Sequence, residues 1–318
     1  MAGVVQNAVC NRHDCESPVP TLAAQLLDVL VRIWPSPMAR QNARFGASPG
    51  TEAYERAYAR RQFMQRVSGG IGIDGLPNIW GLDVLEIGCG HGGITCYLAA
   101  VGARTAVGID LNERHIAYGR ELLAELERAT GRTLPARFEL MNAAQLSFES
   151  DSFDMVMADN LFEHVDPFTT VLREIHRVLR PGGVLLVPAF SGIHSKYGLH
   201  LKHGLKLPWA NLLFSESTII DVMKKQAAER PELYDLYPGL RGAPREVRDL
   251  RRHRDLNGIT HSEFLFEANR AGFDLVQFAP RGTVTGRLLF KIAPPLQKTK
   301  LGEVLSISAT ALLRKRKS

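Results

Sequence analysis

The chain is predicted to be an α/β protein: a mostly parallel seven-stranded sheet with helices on both faces and an inserted cap. Three observations carry that prediction. Between residues 83 and 190 short apolar runs alternate with longer amphipathic ones, the pattern of strands joined by crossover helices. The first apolar run breaks into four glycines within six residues, Gly88, Gly90, Gly92 and Gly93, and then opens a helix. The alternation stops after the fifth run, over residues 191–258, and then resumes. With 318 residues, the chain suits one large domain or one domain with an elaborated cap.

Residues 1–77 read as an N-terminal helical segment and linker. Residues 21–34 have amphipathic spacing, and Pro35 and Pro37 break that helix. Thr51 to Val67 is a second helix, with Tyr54, Tyr58 and Arg61 on one face. That face either packs on the core or covers a bound ligand. Ser68 to Pro77, rich in glycine, is a linker. The core comprises residues 78–190 and 259–318. Its expected strands are Val84–Ile87, Thr105–Ile109, Ala136–Met141, Phe153–Ala158 and Val184–Val187. Helices are expected at Ile94–Val101, Glu113–Ala129 and Phe168–Leu179. The cap, residues 191–258, includes a helix at Ser217–Glu229. Beyond it come a helix at Ser262–Arg270 and strands at Phe273–Phe278 and Val304–Leu313.

Ligands of such sheets bind beyond the C-terminal ends of the strands. Gly88, Asp110, Asn142 and Asp159 each follow a strand directly, so they meet at one rim. The glycine turn lets a ligand approach bare backbone, and the following helix presents unpaired N–H groups. Gly88, Gly90 and Gly93 fit the spacing of dinucleotide folds, and Asp110 lies twenty residues beyond Gly90. A carboxylate there accepts bonds from ribose hydroxyls in either an NAD site or an adenosyl site. Glu86 separates the two readings. A carboxylate inside the first strand repels a pyrophosphate but not a ligand that carries an ammonium and a sulfonium.

Val84-Leu85-Glu86-Ile87-Gly88-Cys89-Gly90 followed by Gly92 resembles the first motif of the class I S-adenosylmethionine-dependent methyltransferases. Val178-Leu179-Arg180-Pro181-Gly182-Gly183-Val184-Leu185 resembles the turn before their fifth strand, and Ala271-Gly272-Phe273 their common Ala-Gly-Phe turn. The resemblance covers roughly residues 80–190. It implies a Rossmann-like fold, S-adenosylmethionine as cofactor, and an activity of methyl transfer. It further implies that Glu86, Gly88, Cys89 and Gly90 line the methionine half of the cofactor, with Glu86 near the ammonium. Asp110 then holds the ribose and Leu111 packs on the adenine. Asn142 and Ala143 stand where many relatives have Asp-Ala against the adenine. Asp159 opens the segment that borders the methyl group.

Methyl transfer from a sulfonium needs a base only where the acceptor loses a proton. His164 is the first candidate, since an imidazole titrates near neutrality; otherwise it ties the fourth strand to the next helix. His194, His200 and His203 sit within ten residues in the cap, as substrate contacts, a base or loop structure. Trp209 and Phe214 are candidate walls of an acceptor pocket or part of the cap's own core. The Pro-Pro-aromatic triplet of nucleobase amino-methyltransferases is absent after Asp159, and there is no cysteine nucleophile nearby. With the histidine-rich cap, the acceptor expected is a hydroxyl on a small or medium-sized molecule: a sugar, a polyketide or other secondary metabolite, or a lipid-linked saccharide; nitrogen and carbon acceptors stay open as alternatives.

Cys10, His13 and Cys15 lack the spacing of a paired-cysteine zinc knuckle, so a leader is expected there and no metal. Four cysteines do not make a disulfide scaffold, and no apolar run spans a bilayer, so a reducing cytoplasm is the expected setting. The formal charge of +6 is mild. Its excess lies in Arg241 to Arg254 and in the tail Arg314-Lys315-Arg316-Lys317, either solvated or drawn to an anionic surface. No basic stretch interleaved with aromatics suggests nucleic acid.

Overall fold

A computed structural model describes residues 21–33, 51–69, 78–198, 207–229 and 256–317. The elements run α1 (Leu22–Ile33), α2 (Glu52–Gly69), β1 (Asp83–Ile87), α3 (Gly93–Ala100), β2 (Thr105–Asp110), α4 (Glu113–Thr130), β3 (Ala136–Leu140), β4 (Phe153–Met157), α5 (Phe168–Val178) and β5 (Leu179–Phe190). There follow α6 (Ala210–Leu213), α7 (Glu216–Glu229), α8 (His261–Arg270), β6 (Phe273–Gly282), α9 (Val284–Ile292), a 3₁₀ turn at Pro294–Lys298, α10 (Lys300–Val304) and β7 (Ser306–Lys315).

The seven strands form one Rossmann-like sheet in the order β3-β2-β1-β4-β5-β7-β6. The first five run parallel; β7 is antiparallel to both β5 and β6. Alternate side chains of the central strands go to opposite faces, and both faces are covered. Leu85, Ile87, Val107, Ile109 and Leu185 pack with Leu172 and Ile175 of α5 and Phe264 of α8. Val84, Ala106, Met155, Met157 and Leu186 pack with Ile94 and Leu98 of α3. That two-sided burial explains the near-continuous apolar runs that marked these strands in the sequence.

Helix ends follow local chemistry. Asn112 caps α4 by accepting the Arg114 N–H at 3.0 Å, and α8 begins with a reciprocal capping box between Thr260 and Glu263. The Pro181-Gly182-Gly183 turn expected before the fifth strand lies inside β5 as a bulge. Phe153 pairs with Leu179 but Met155 pairs with Val184, so five residues of β5 face two of β4. The end of the chain also differs from expectation. Val304 belongs to α10, β7 starts at Ser306, and two helices and a 3₁₀ turn fill the stretch between β6 and β7.

α1 packs on α7 of the insertion, through Leu27 and Val31 against Ile219, Val222 and Met223, with Ile193 and Leu207 in the same cluster. α2 lies on α3 and α4. Ala59 and Phe63 share a cluster with Cys89, Cys96 and Ile116, and Arg56 and Arg60 pair with Glu121 and Glu125, each at 2.8 Å. Of the tail cations, Lys315 pairs with Asp151 and Arg316 with Asp274, both at 2.8 Å. Two of the four charges are thus already matched within the fold. Arg241 to Arg254, Cys10, His13, Cys15, His200 and His203 lie outside the described residues.

Candidate functional site

A cavity of about 400 Å³ opens at the C-terminal ends of β1, β2 and β3. Gly88, Asp110, Leu111, Asn142, Ala143 and His164 are among its lining residues, together with Leu161 and Val165. Six of the residues singled out in the sequence therefore share one cavity.

The glycine turn is tied to the end of β2 at two points. The Cys89 N–H donates to the Ile109 carbonyl at 2.9 Å, and the Gly90 N–H donates to Asp110 Oδ2 at 2.9 Å. Gly90 is left-handed, with φ 50°, which a residue with a side chain rarely adopts. Asp110 Oδ1 accepts the Asn112 N–H at 2.8 Å, and His115 Nδ1 lies 3.4 Å away. Burial alone would raise the Asp110 carboxyl. His115 and the two amide donors outweigh it and hold the group below its ordinary range, so it is anionic at neutral pH. Next to it Leu111 leaves most of its side chain exposed at the cavity edge.

Asn142 and Ala143 follow β3. The Asn142 side chain accepts the Ala144 N–H at 2.9 Å, which fixes the turn and leaves its NH₂ group as a donor at the cavity. His164 is exposed at the opposite wall, on the loop after β4. That loop is held by a residue that the sequence did not single out. Asn257, at the end of the insertion, donates its side-chain NH₂ to the Phe162 carbonyl (2.6 Å) and the Val165 carbonyl (2.7 Å), and its N–H to the Glu163 carbonyl (3.0 Å).

Other predicted residues lie elsewhere. Glu86 sits beneath the glycine turn, fully buried, and accepts a hydrogen bond from the Thr95 hydroxyl of α3. Burial pushes its carboxyl up to about 8, against the bond from Thr95, so it is mostly protonated at neutral pH. Cys89 turns its buried thiol into the cluster beneath α2, and burial pushes that thiol far up. Asp159 pairs with Arg66 of α2 at 3.0 Å, and its burial raises its carboxyl in spite of that cation. His194 is away from the cavity; its N–H donates to the buried Glu303 carboxylate at 2.8 Å. Trp209 donates its indole N–H to the Val304 carbonyl at 2.8 Å, and Phe214 packs on the cluster shared by α1 and α7.

Arg66, Thr95, His115 and Asn257 escaped the reading of the sequence. Only Arg66 had a local signal: it continues the i, i+4 row Tyr54, Tyr58, Gln62, the face of α2 already marked by its tyrosines.

Residues 85–187 match the family model described as a methyltransferase domain. The chain is 34% identical over 112 residues to the ubiquinone biosynthesis O-methyltransferase of Pseudomonas syringae pv. tomato, covering 35% of this chain and 45% of that protein. It is 31% identical over 144 residues to the demethylmenaquinone methyltransferase of Staphylococcus aureus, covering 43% and 56%. It is 28% identical over 115 residues to phosphoethanolamine N-methyltransferase 1 of Triticum aestivum, covering 36% and 22%. The chain thus spans between 22% and 56% of the length of these relatives. Among solved structures, a methyltransferase from Methanosarcina mazei aligns with a TM-score of 0.47 at 20% identity, over 77% of this chain and 100% of that one. By the match of its core, residues 85–187 of this chain belong to the class I S-adenosylmethionine-dependent methyltransferases.

Proposed function

We propose that this protein transfers the methyl group of S-adenosylmethionine to a hydroxyl oxygen of a small or medium-sized acceptor. The observation that carries the reading is the Gly90–Asp110 clamp beside a cavity that Leu111, Asn142 and Ala143 line on one side and His164 on the other. An ionised carboxylate held by backbone suits ribose hydroxyls, and an exposed leucine next to it suits a purine face. Arg66 and Asp159, paired across α2 and β4, offer opposite charges to the carboxylate and ammonium of an amino acid tail.

S-adenosylmethionine supplies a methyl group on a leaving group that is already activated. The chain's task is to orient the acceptor, exclude water and take up a proton. His164 is the exposed imidazole on the cavity wall, and we assign it the hydroxyl proton. Leu161, Val165 and Pro167 make the wall around it apolar. Oxygen as the acceptor atom is supported by that imidazole and by the likeness to an O-methyltransferase.

Calorimetric titration with S-adenosylhomocysteine and with NADH tests the cofactor. Binding of the first alone is expected, and binding of NADH alone overturns the reading. Transfer of label from methyl-tritiated S-adenosylmethionine to a panel of phenols, sugars and amines tests the acceptor. Labelling of amines only, or of carbon, overturns the oxygen assignment.

A further inference from the structure

From Leu275 to Gly302 the chain has five cations, Arg281, Arg287, Lys291, Lys298 and Lys300, and no aspartate or glutamate. All five are exposed, and among the described residues no carboxylate forms an ion pair with any of them. Elsewhere on this molecule surface cations are regularly matched, as Arg56 is by Glu121 and Arg60 by Glu125.

The same stretch contains a helix with its polarity inverted. α9 turns Gly286 and Phe290 into the fold. At about 100° per residue, Leu288 lies on the side opposite both. Such a side normally carries charge. Here Leu288 is 61% exposed, Val284 79% and Ile292 71%, a ridge at i, i+4 and i+8. Arg287 and Lys291 run alongside this ridge. A groove of about 470 Å³ lies next to the helix, between Pro280, Val284, Leu288 and Phe290 and the two cations Arg287 and Lys291.

We propose that the exposed face of α9 docks on an anionic membrane surface. An apolar ridge flanked by lysine and arginine, in a segment without aspartate or glutamate, suits the boundary between headgroups and acyl chains. The long cationic side chains lay their stems on the apolar region while their charges reach lipid phosphates. An acidic peptide would match the cations but leave the aliphatic ridge in water; a bilayer interface meets both at adjacent depths. No helix among the described residues is long and apolar enough to cross a membrane, so the contact is peripheral. Because β6 runs antiparallel to β7 and β7 antiparallel to β5, β6 is parallel to the first five strands. α9 therefore leaves the sheet at the rim where the cavity opens. The docking itself does not depend on which atom is methylated.

The test is sedimentation of the full chain with vesicles of phosphatidylcholine alone and of phosphatidylcholine containing phosphatidylglycerol. The expected result is binding to the anionic vesicles only, weakened by added salt. Arg287→Glu with Lys291→Glu should lower that binding about thirtyfold or more, from the loss of two interfacial cations. Leu288→Gln with Ile292→Gln should lower it about tenfold, with the response to salt retained. Thermal melts matching the parent show that each pair of changes leaves the fold intact. The proposal is overturned if the parent stays in the supernatant, or if both variants bind as the parent does. It is also overturned if light scattering shows a dimer that the Leu288→Gln, Ile292→Gln protein loses while neither protein binds vesicles. In that case the ridge is a contact between two copies of this chain.

Discussion

Replacing Glu86 with glutamine should remove a large, pH-dependent cost to stability. The carboxyl is buried beneath the glycine turn and held up at about 8, against an ordinary 4.5 in an unfolded chain. Below 4.5 the group is protonated in both states and costs nothing. Between 4.5 and 8 the unfolded chain releases the proton and the folded chain keeps it, so stability falls as pH rises. Above 8 the loss is complete. The gap of about 3.5 between those two values corresponds to about 5 kcal/mol, of which about 3 kcal/mol is already lost at pH 7. Glutamine preserves the shape and can still accept from the Thr95 hydroxyl, but it does not titrate. Urea unfolding of parent and Glu86→Gln at about pH 5, 7 and 9 measures the difference directly. Other titrating groups cancel in that difference. His261, buried and held down to about 3, has the opposite trend: its contribution is complete above 6.5 and is lost as pH falls. It is common to both proteins. The stability of the variant relative to the parent should therefore climb by about 3–5 kcal/mol from low to high pH. A difference that stays flat from pH 5 to 9 refutes the reasoning, because it means that the folded chain ionises Glu86 as easily as the unfolded one.

The cofactor clamp, the base and the loop support have separate signatures. Asp110→Ala should weaken S-adenosylhomocysteine binding by about 1–3 kcal/mol, through lost charge-assisted hydrogen bonds and a loosened Gly90; calorimetry that shows unchanged affinity removes Asp110 from the site. His164→Ala should lower kcat on a hydroxyl acceptor by about 10²- to 10⁴-fold and abolish the acid limb of its pH profile, while cofactor affinity stays as in the parent. An unaltered rate and profile would leave His164 a structural role. Asn257→Ala frees two carbonyls of the loop that bears His164, those of Phe162 and Val165; it should cost about 1–3 kcal/mol in urea unfolding and affect acceptor KM more than cofactor affinity.

What the sequence revealed about the site is what is local in the chain. Gly88, Gly90, Asp110, Asn142 and Ala143 each directly follow an apolar strand, so a correct count of strands brings them to one rim without knowledge of any distant contact. The pairs that were not legible join residues far apart in the sequence: Arg66 with Asp159, and Asn257 with the loop from Phe162 to Val165. Neither pairing leaves a spacing in the sequence; the i, i+4 row through Tyr54 and Tyr58 marks the face that bears Arg66 but not its partner. Glu86 shows a second limit. The sequence puts a carboxylate two residues before a glycine turn but cannot say which way it points. Thr95 can reach it because Gly108, opposite on β2, has no side chain; a Cβ there would lie 2.6 Å from the Thr95 hydroxyl. Residues 284–292 show a third limit. Reading a helix from its pattern assumes that apolar residues face inward, and α9 turns Gly286 and Phe290 inward while Val284, Leu288 and Ile292 face out.

The unread contacts have one physical consequence in common. The wall that bears His164 is fastened by Asn257 at the end of the insertion, and Glu163 of the same loop accepts the Ser191 N–H at its start, at 3.2 Å. Both ends of the insertion therefore grip the loop after β4, whereas Asp110 is held by the glycine turn, Asn112 and His115, and the turn is tied to β2 and to α2, where His91 bonds Glu55 at 2.7 Å. Changes in the insertion are then expected to act first on the loop after β4, the proposed acceptor side of the cavity, through Asn257 and the Glu163 carboxylate. On the proposed function, altering the insertion should therefore change the choice of acceptor more than it changes cofactor binding at Gly90 and Asp110.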